Sequence, residues 1–431
     1  MPDKKGLLIA APASGSGKTV ITLALLRALK HAGVDIAASK AGPDYIDPGF
    51  HKLACGGESV NLDAWAMSPA RLQQLANQQN GSHLLVEGMM GLFDGAADGS
   101  GSAAELSKLL GMPVLLVVDA GKQSHSVAAL VRGFRDHDPE IALAGVILNR
   151  VGSPRHARML TGALSAIGVS VLGAVPRDNA LGLPERHLGL VQAEEISKGE
   201  TFIDNAARIV GQSCDLRLVQ EAFATIHNQP GNKAPGLKPL GQHVAIARDE
   251  AFSFVYPHWL KDWHDSGVQI SFFSPLANEM PDSHADAVFL PGGYPELHAG
   301  KLAAAEAFRQ GMHDARDRGV FIYGECGGYM VLGQGLVDAE GNTHRMTGLL
   351  DLETSFARRK LHLGYRQLTA DGFRLGKKFS AHEFHYTSAL REVGEPLFEA
   401  CDALGENMQT AGLRSGKVAG SYMHVIDMVN Q

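Results

Sequence analysis

The sequence predicts an α/β protein of two domains, and three observations carry that expectation. Short apolar runs alternate with amphipathic stretches in both halves of the 431-residue chain, the pattern of parallel strands covered by helices. A stretch rich in proline and glycine, Asn228–Gln242 (NQPGNKAPGLKPLGQ), separates the two series and reads as a linker. Glycine-rich polar motifs follow several apolar runs, and strand carboxyl ends are where ligands bind in such sheets. The expected boundaries are 1–227, a linker at 228–242, and 243–431.

In the first half the expected strands are Leu7–Ala11, Ile36–Lys40, Leu84–Glu87, Val114–Asp119, Val146–Asn149 and Val171–Val175. Helices are expected at Thr19–His31 and Ser124–His137. After the linker come Val244–Ala247, Ile270–Phe273, Ala287–Leu290 and Val320–Tyr323. From about Gly348 to Tyr422 the runs shorten and turn residues multiply, which predicts antiparallel pairing. No internal repeat or low-complexity segment interrupts the pattern.

Composition narrows the function classes. With 45% hydrophobic and 20% charged residues, the chain can bury a core, and disorder is excluded as its main state. A net charge of −7, a pI near 6.2 and the lack of a basic stripe argue against nucleic acid as a partner. No apolar run approaches the roughly 18 residues of a membrane span, and the start, MPDKKGLLIAAPASG, does not read as a signal peptide. Cys55, Cys214, Cys326 and Cys401 are widely spaced without C-x-x-C, so neither a disulfide framework nor a zinc site is indicated. A cytoplasmic enzyme is the expectation. Fifty glycines, against average usage of roughly 7%, mean either loose loops or many places where backbone approaches a ligand.

The first chemical motif is Pro12-Ala13-Ser14-Gly15-Ser16-Gly17-Lys18-Thr19, between an apolar run and a helix. A strand, a glycine-rich turn and a helix N-terminus aim backbone N–H groups and a positive dipole at one spot. Ser14, Gly15, Ser16, Gly17, Lys18 and Thr19 are therefore expected to bind ATP phosphates, with Thr19 also a Mg²⁺ ligand. Pro12 stands where G-x-x-x-x-G-K-[ST] has its first glycine, and Ser14-Gly15 can supply that turn.

Two acidic motifs follow the second and third expected strands, Lys40-Ala-Gly-Pro-Asp44-Tyr45-Ile46-Asp47 and Glu87-Gly-Met-Met-Gly-Leu-Phe-Asp94. One such carboxylate is usually a solvated turn former. Several at adjacent strand ends beside a phosphate loop favour metal and substrate. Asp47 and Glu87 join Thr19 as expected Mg²⁺ ligands; Asp44, Tyr45, Ile46 and Asp94 are expected to face the substrate. Asn149, at a strand end, could read an adenine edge with its amide or merely cap a turn. Arg186 and His187, in Leu183–Leu190, suit a polycarboxylate, or a plain surface loop.

The second motif, Gly324-Glu325-Cys326-Gly327-Gly328, follows an apolar run and precedes a helix. G-x-C-x-G is the cysteine form of the nucleophile elbow. The helix N-terminus should lower the Cys326 pKa towards thiolate. Gly327 N–H and the Pro291–Tyr294 loop, through Gly293, would form an oxyanion hole. The base is His424 or His385, and spacing does not separate them.

Together, SGSGKT, KAGPDYIDP, EGMMGLFDG, LPERHLGL, PGGYPE, YGECGGYM, GYR, HEFHY and SYMH resemble the cobyrinic acid a,c-diamide synthase family, glutamine-dependent amidotransferases of corrin biosynthesis. The match spans nearly the whole chain. The related cobyric acid synthases share both domain types, but GPDYIDP and GLFDG look like the a,c-diamide enzymes. The resemblance implies a dethiobiotin-synthetase-like phosphate-loop domain followed by a class I glutamine amidotransferase domain. It implies that Cys326 attacks the glutamine side-chain amide and that His424, in S-Y-x-H, is the base. Many class I glutaminases carry an acid two residues after that histidine; here position 426 is Ile and Asp427 is one residue off.

The implied reaction joins both halves. A carboxylate must be activated before ammonia can amidate it, and ATP with Mg²⁺ and Lys18 would phosphorylate it. Ammonia from glutamine would then displace phosphate, after an enclosed passage. Cobyrinic acid is the leading substrate, with hydrogenobyrinic acid and nickel-sirohydrochlorin as close alternatives, and a homodimer is left open. A distant alternative is a partitioning-type ATPase switch with an inactive glutaminase fold. Deviant phosphate loops of that class carry an early lysine, and here position 13 is Ala.

Overall fold

A computed structural model describes residues 4–182, 199–227 and 234–429. The chain divides into two compact units, residues 1–234 and 235–431. No helix among the described residues is long and apolar enough to cross a membrane.

The first unit is built on β1 (Lys5–Ala10), β2 (Ile36–Ala41), β3 (Val60–Leu62), β4 (His83–Glu87), β5 (Val114–Asp119), β6 (Leu143–Val151) and β7 (Val171–Pro176). They form a parallel sheet in the order β3-β2-β4-β1-β5-β6-β7. A short β8 (Ala224–Thr225) pairs antiparallel with β1. Helices cover the faces, so central strands are buried on both sides; Leu7, Leu8 and Ile9 are fully buried. The three-residue β3 escapes sequence periodicity because it is too short to show any. The Glu87 motif therefore follows the fourth strand in chain order, not the third. The helix expected from Ser124 begins at Val127.

Chain order and sheet order together place the carboxyl ends of β2, β4 and β1 side by side. The helix α1 (Lys18–His31) starts directly after the phosphate loop, and α2 (Asp47–Cys55) starts inside the second motif. Pro48 suits the first turn of α2, and Gly56 at φ 81° ends it.

The second unit holds β9 (His243–Ala247), β10 (Gln269–Phe273), β11 (Ala287–Leu290) and β12 (Phe321–Glu325), all parallel. Next come β13 (Gly335–Val337), β14 (Thr343–Arg345), β15 (Leu352–Ser355), β16 (His362–Thr369), β17 (Lys378–His385) and β18 (Ser388–Glu392). The series ends with β19 (Glu395–Asp402), β20 (Gln409–Ser415), β21 (Val418–Ser421) and β22 (Met423–Met428). The main sheet runs β10-β9-β11-β12-β21-β20-β19-β16-β17-β22, parallel as far as β21 and antiparallel beyond. The antiparallel half expected from the sequence is present. A separate small sheet has the order β14-β13-β15-β18.

Residues 228–233 of the expected linker lie outside the described residues, as do Arg186 and His187. The remainder of that stretch is not a bare tether. Leu237 and Leu240 are buried, and Lys238 N–H donates to Leu375 O at 3.3 Å. Two leucines among the prolines and glycines suffice to fasten it to the second unit.

Candidate active sites

In the first unit the phosphate loop joins the end of β1 to α1. Gly17 caps α1 at φ 88°, a left-handed conformation that glycine adopts without strain. A side-chain carbon there would lie 2.3 Å from Asn149 Nδ2, which donates to Ser16 O at 2.9 Å. Asn149 thus braces the loop from β6, so its amide donates to main chain rather than standing ready for a base edge. Ser14 and Gly15 are exposed, whereas Ser16 and Lys18 are buried. Lys18 Nζ donates to Met90 O at 2.6 Å, and burial lowers its pKa.

The acidic residues gather around a lysine that the sequence reading left without a role. Lys40, 4% exposed at its side chain, pairs with Asp47, with Glu87 Oε1 at 3.1 Å and with Asp44 Oδ2 at 3.9 Å. Burial alone would lower the Lys40 pKa, but Asp47, Glu87 and Asp44 drive it up. Burial likewise opposes the Glu87 charge, yet Lys40 and a hydrogen bond from His51 Nε2 at 2.8 Å hold its pKa down. Asp47 is pushed well up by burial and by Asp44.

Thr19 Oγ1 donates to Glu87 Oε1 at 2.6 Å, and Asp47 Oδ1 is buried without a hydrogen-bond partner. Thr19, Glu87 and Asp47 therefore offer an all-oxygen set suited to a hard divalent cation that keeps further sites for phosphate and water. Asp44 Oδ1 accepts from Ile46 N (2.7 Å) and Asp47 N (3.0 Å), shaping the turn in which Tyr45 and Ile46 are half-buried. Asp94 is exposed and accepts from Gly91 N at 2.8 Å.

In the second unit Cys326 follows β12 and caps the next helix at φ 46° and ψ −104°, outside the usual regions for a residue with a side chain. Its own N–H donates to Ser421 O at 2.8 Å, and the Gly327 N–H hydrogen-bonds toward the thiol. The expected thiolate is corrected here: burial raises the Cys326 pKa, and Glu296 adds to the rise. The six-residue helix Gly327–Leu332 and the Gly327 N–H do not offset that desolvation.

Gly292 explains its own identity. A methyl there would stand 2.6 Å from His424 Cε1 and 3.4 Å from Cys326 Cβ, so any side chain would crowd the histidine next to the cysteine. The Gly293 nitrogen lies 3.2 Å from where a Gly327 side chain would begin, bringing the two expected oxyanion donors together.

His424 lies in β22 opposite His382 of β17, with ring centroids 4.8 Å apart. Burial, then His382 and His385, keep the His424 pKa well below the ordinary imidazole value. His382, near Tyr256 OH at 3.2 Å, is pushed down to about 3 by burial. His385 is engaged at both nitrogens, with Thr387 O (3.0 Å) and Glu383 Oε1 (3.0 Å). Glu383 in turn accepts from Arg366 at 2.6 Å. His362, Glu383 and His385 bring ligand atoms within 4.8 Å of one another, but Arg366 already compensates that carboxylate.

The sequence reading passed over Lys40, His51 and Glu325. A lysine ending the apolar run IAASK was a signal, as was His51 one helical turn beyond Asp47. Glu325 shares a strand face with Tyr323, and burial pushes its carboxyl up to about 8.

Comparison with known proteins agrees with this arrangement. Residues 7–191 match the CobQ/CobB/MinD/ParA nucleotide binding domain, and residues 243–429 the CobB/CobQ-like glutamine amidotransferase domain. The chain is 56% identical to a hydrogenobyrinate a,c-diamide synthase of Brucella anthropi, covering 99% of each chain. Proteins of the same name from Rhizobium meliloti (55% identical; 98% of this chain, 99% of that one) and Rhodobacter capsulatus (50%; 98% of each) are also similar. With both domains present and the whole length matched, the chain belongs to the hydrogenobyrinate a,c-diamide synthase family, glutamine amidotransferases of cobalamin synthesis.

Proposed function

We propose that this chain amidates the a and c acetate carboxylates of hydrogenobyrinic acid, using ATP and ammonia released from glutamine. The relatives' names move this metal-free ring to the front. Cobyrinic acid, first on sequence grounds, requires the same chemistry and is the second reading. The carrying observation is that one chain holds two complementary centres: a phosphate loop beside lysine-bound carboxylates, and a strained buried cysteine beside a histidine.

In the first unit Ser14, Gly15, Ser16, Gly17, Lys18 and Thr19 surround the ATP phosphates, and Asn149 stiffens the loop. Thr19, Asp47 and Glu87 would hold Mg²⁺, which when bound neutralises phosphate charge during transfer. Lys18 stabilises charge on the phosphoryl group as it passes to the substrate carboxylate. Asp44, Tyr45, Ile46, Asp94, Arg186 and His187 serve the substrate side. Ammonia then adds to the acyl phosphate, and phosphate leaves.

In the second unit His424 takes the proton of the Cys326 thiol as sulfur attacks the glutamine amide carbon. The developing oxyanion receives hydrogen bonds from Gly327 and Gly293 N–H. The C–N bond breaks as His424 returns the proton to the leaving ammonia, and water hydrolyses the thioester to glutamate. Because burial keeps the thiol protonated, this base has to act during attack rather than before it. A cytoplasmic setting suits four cysteines that are all free.

Mass spectrometry tests the reading directly. Incubation of hydrogenobyrinic acid with enzyme, ATP, Mg²⁺ and glutamine should give two successive acid-to-amide shifts, each about one dalton. Turnover of cobyrinic acid but not the metal-free ring would instead select the second reading. No shift on either ring would refute both.

A further inference from the structure

The position two residues beyond His424 is filled by Ile426, which is fully buried, and its carbonyl accepts from His258 Nε2 (2.9 Å) and Trp259 Nε1 (3.2 Å). The next carboxylate along the chain, Asp427, uses Oδ1 to accept from Met428 N at 2.8 Å. Position 426, where related glutaminases have an acid, thus carries an apolar side chain in this strand.

An acid reaches the ring from β12 instead, a strand that is not paired with β22 in the sheet. Glu325 is the last residue of β12, and its Oε1 accepts from Tyr323 OH at 3.0 Å and from Val425 N at 3.3 Å. Its Oε2 stands 4.0 Å from His424 Nδ1, with both side chains 2% exposed. The bond to Val425 N also fixes the main chain immediately after the histidine. We propose that Glu325, the residue directly before the nucleophile, is the positioning residue of His424: it holds Nδ1 and leaves Nε2 to exchange the thiol proton. This rests on the roles of Cys326 and His424 given under Proposed function.

The arrangement divides the work by direction. His382 stacks on the face of His424, while Glu325 meets its edge. A gap of 4.0 Å exceeds a hydrogen bond, and such contacts tighten when substrate is bound. When His424 takes the thiol proton it becomes a cation in a site where burial, His382 and His385 all oppose that charge. Ionised Glu325 compensates it. Around the pair, Tyr323 OH bonds to Glu325, His382 stacks on the ring face of His424, and His385 stacks on Tyr422 and bonds to Glu383. Burial holds the Glu325 carboxyl up to about 8, so glutamine hydrolysis should rise with pH through that region.

The test compares Glu325→Gln, Glu325→Asp, Cys326→Ala and His424→Ala in the full chain, with glutamine or free ammonia as nitrogen source. For Glu325→Gln the glutamine-dependent kcat should fall roughly 10²–10⁴-fold, with KM for glutamine within about threefold and ammonia-dependent amidation retained. The rising limb near pH 8 should vanish with it, and Glu325→Asp should recover part of the rate. A kcat within about threefold of the parent with the same pH profile, while Cys326→Ala and His424→Ala abolish glutamine use, overturns the proposal. Continued glutamine use by those last two variants would overturn the underlying reading instead. If Glu325→Gln also loses ammonia-dependent activity, ¹⁵N-histidine NMR of the unsubstituted chain decides. An Nδ1–H tautomer at His424 supports the proposal, and an Nε2–H tautomer overturns it.

Discussion

Replacing Lys40 by methionine should destabilise the first unit more than any single loss of its surface charges. Methionine nearly preserves the volume, so the change removes charge rather than packing. Lys40 Nζ lies 3.1 Å from Glu87 Oε1, and at an effective dielectric near 20 such a pair is worth about 5 kcal/mol before desolvation. The desolvation of the ammonium offsets part of that. What remains after substitution is Asp47 and Glu87 buried together with no lysine between them, and breaking a buried pair from one side typically costs about 3–5 kcal/mol. Hydrogen exchange of peptides spanning β2 and β4 reads this locally, without assuming that both units unfold together. The opening free energy should fall by about 3–5 kcal/mol, and adding Glu87→Gln should give less than the sum of the two single losses. A loss below about 1 kcal/mol would refute the view that Lys40 is the charge balancing this site.

The remaining predictions concern both centres. Between pH 7 and 8 the second unit should lose about 1.4 kcal/mol of stability per pH unit, because folded Glu325 keeps a proton to about 8 that the unfolded chain releases near 4.5. Below pH 6.5 folded His382, at about 3, and His424, held well below the ordinary imidazole value, have the opposite sign and offset the slopes of Glu325 and of Glu296, which burial pushes up to about 7; fluorescence of Trp259 and Trp263 during urea unfolding measures both ranges, and Glu325→Gln should flatten the upper one. Gly292→Ala places a methyl 2.6 Å from His424 Cε1; glutamine-dependent turnover should drop at least about 10²-fold with ammonia-dependent turnover intact, and a change under threefold would refute the packing argument. Asn149→Ala removes the 2.9 Å bond to Ser16 O; KM for ATP should rise roughly five- to tenfold with ATP-over-GTP preference unchanged, whereas a lost preference would mean the amide reads the base.

Much of this was legible because the motifs sit where chain geometry is local. A glycine-rich turn between an apolar run and a helix can be read in eight residues, and so can G-x-C-x-G. What could not be read depends on residues meeting across strands. Lys40 and Glu87 are paired by sheet register, which single-sequence periodicity does not supply. Spacing left His385 and His424 open as the base, and that both ring nitrogens of His385 are engaged is a tertiary fact. The thiolate expectation for Cys326 failed for a related reason: a helix N-terminus is visible in sequence, whereas the depth at which the sulfur is buried is not.

The bond between Glu325 and Val425 closes a loop of a hundred residues. Between its ends the chain lays down β13 to β20, and β21 enters the sheet between β12 and β20. Joining such distant segments is a slow event in folding because loop entropy must be overcome first. By this topology the contacts around Cys326 and His424 should form late in the folding of their unit. On the proposed roles, a chain in which that closure has not formed carries Cys326 without His424 in place, and should release no ammonia from glutamine.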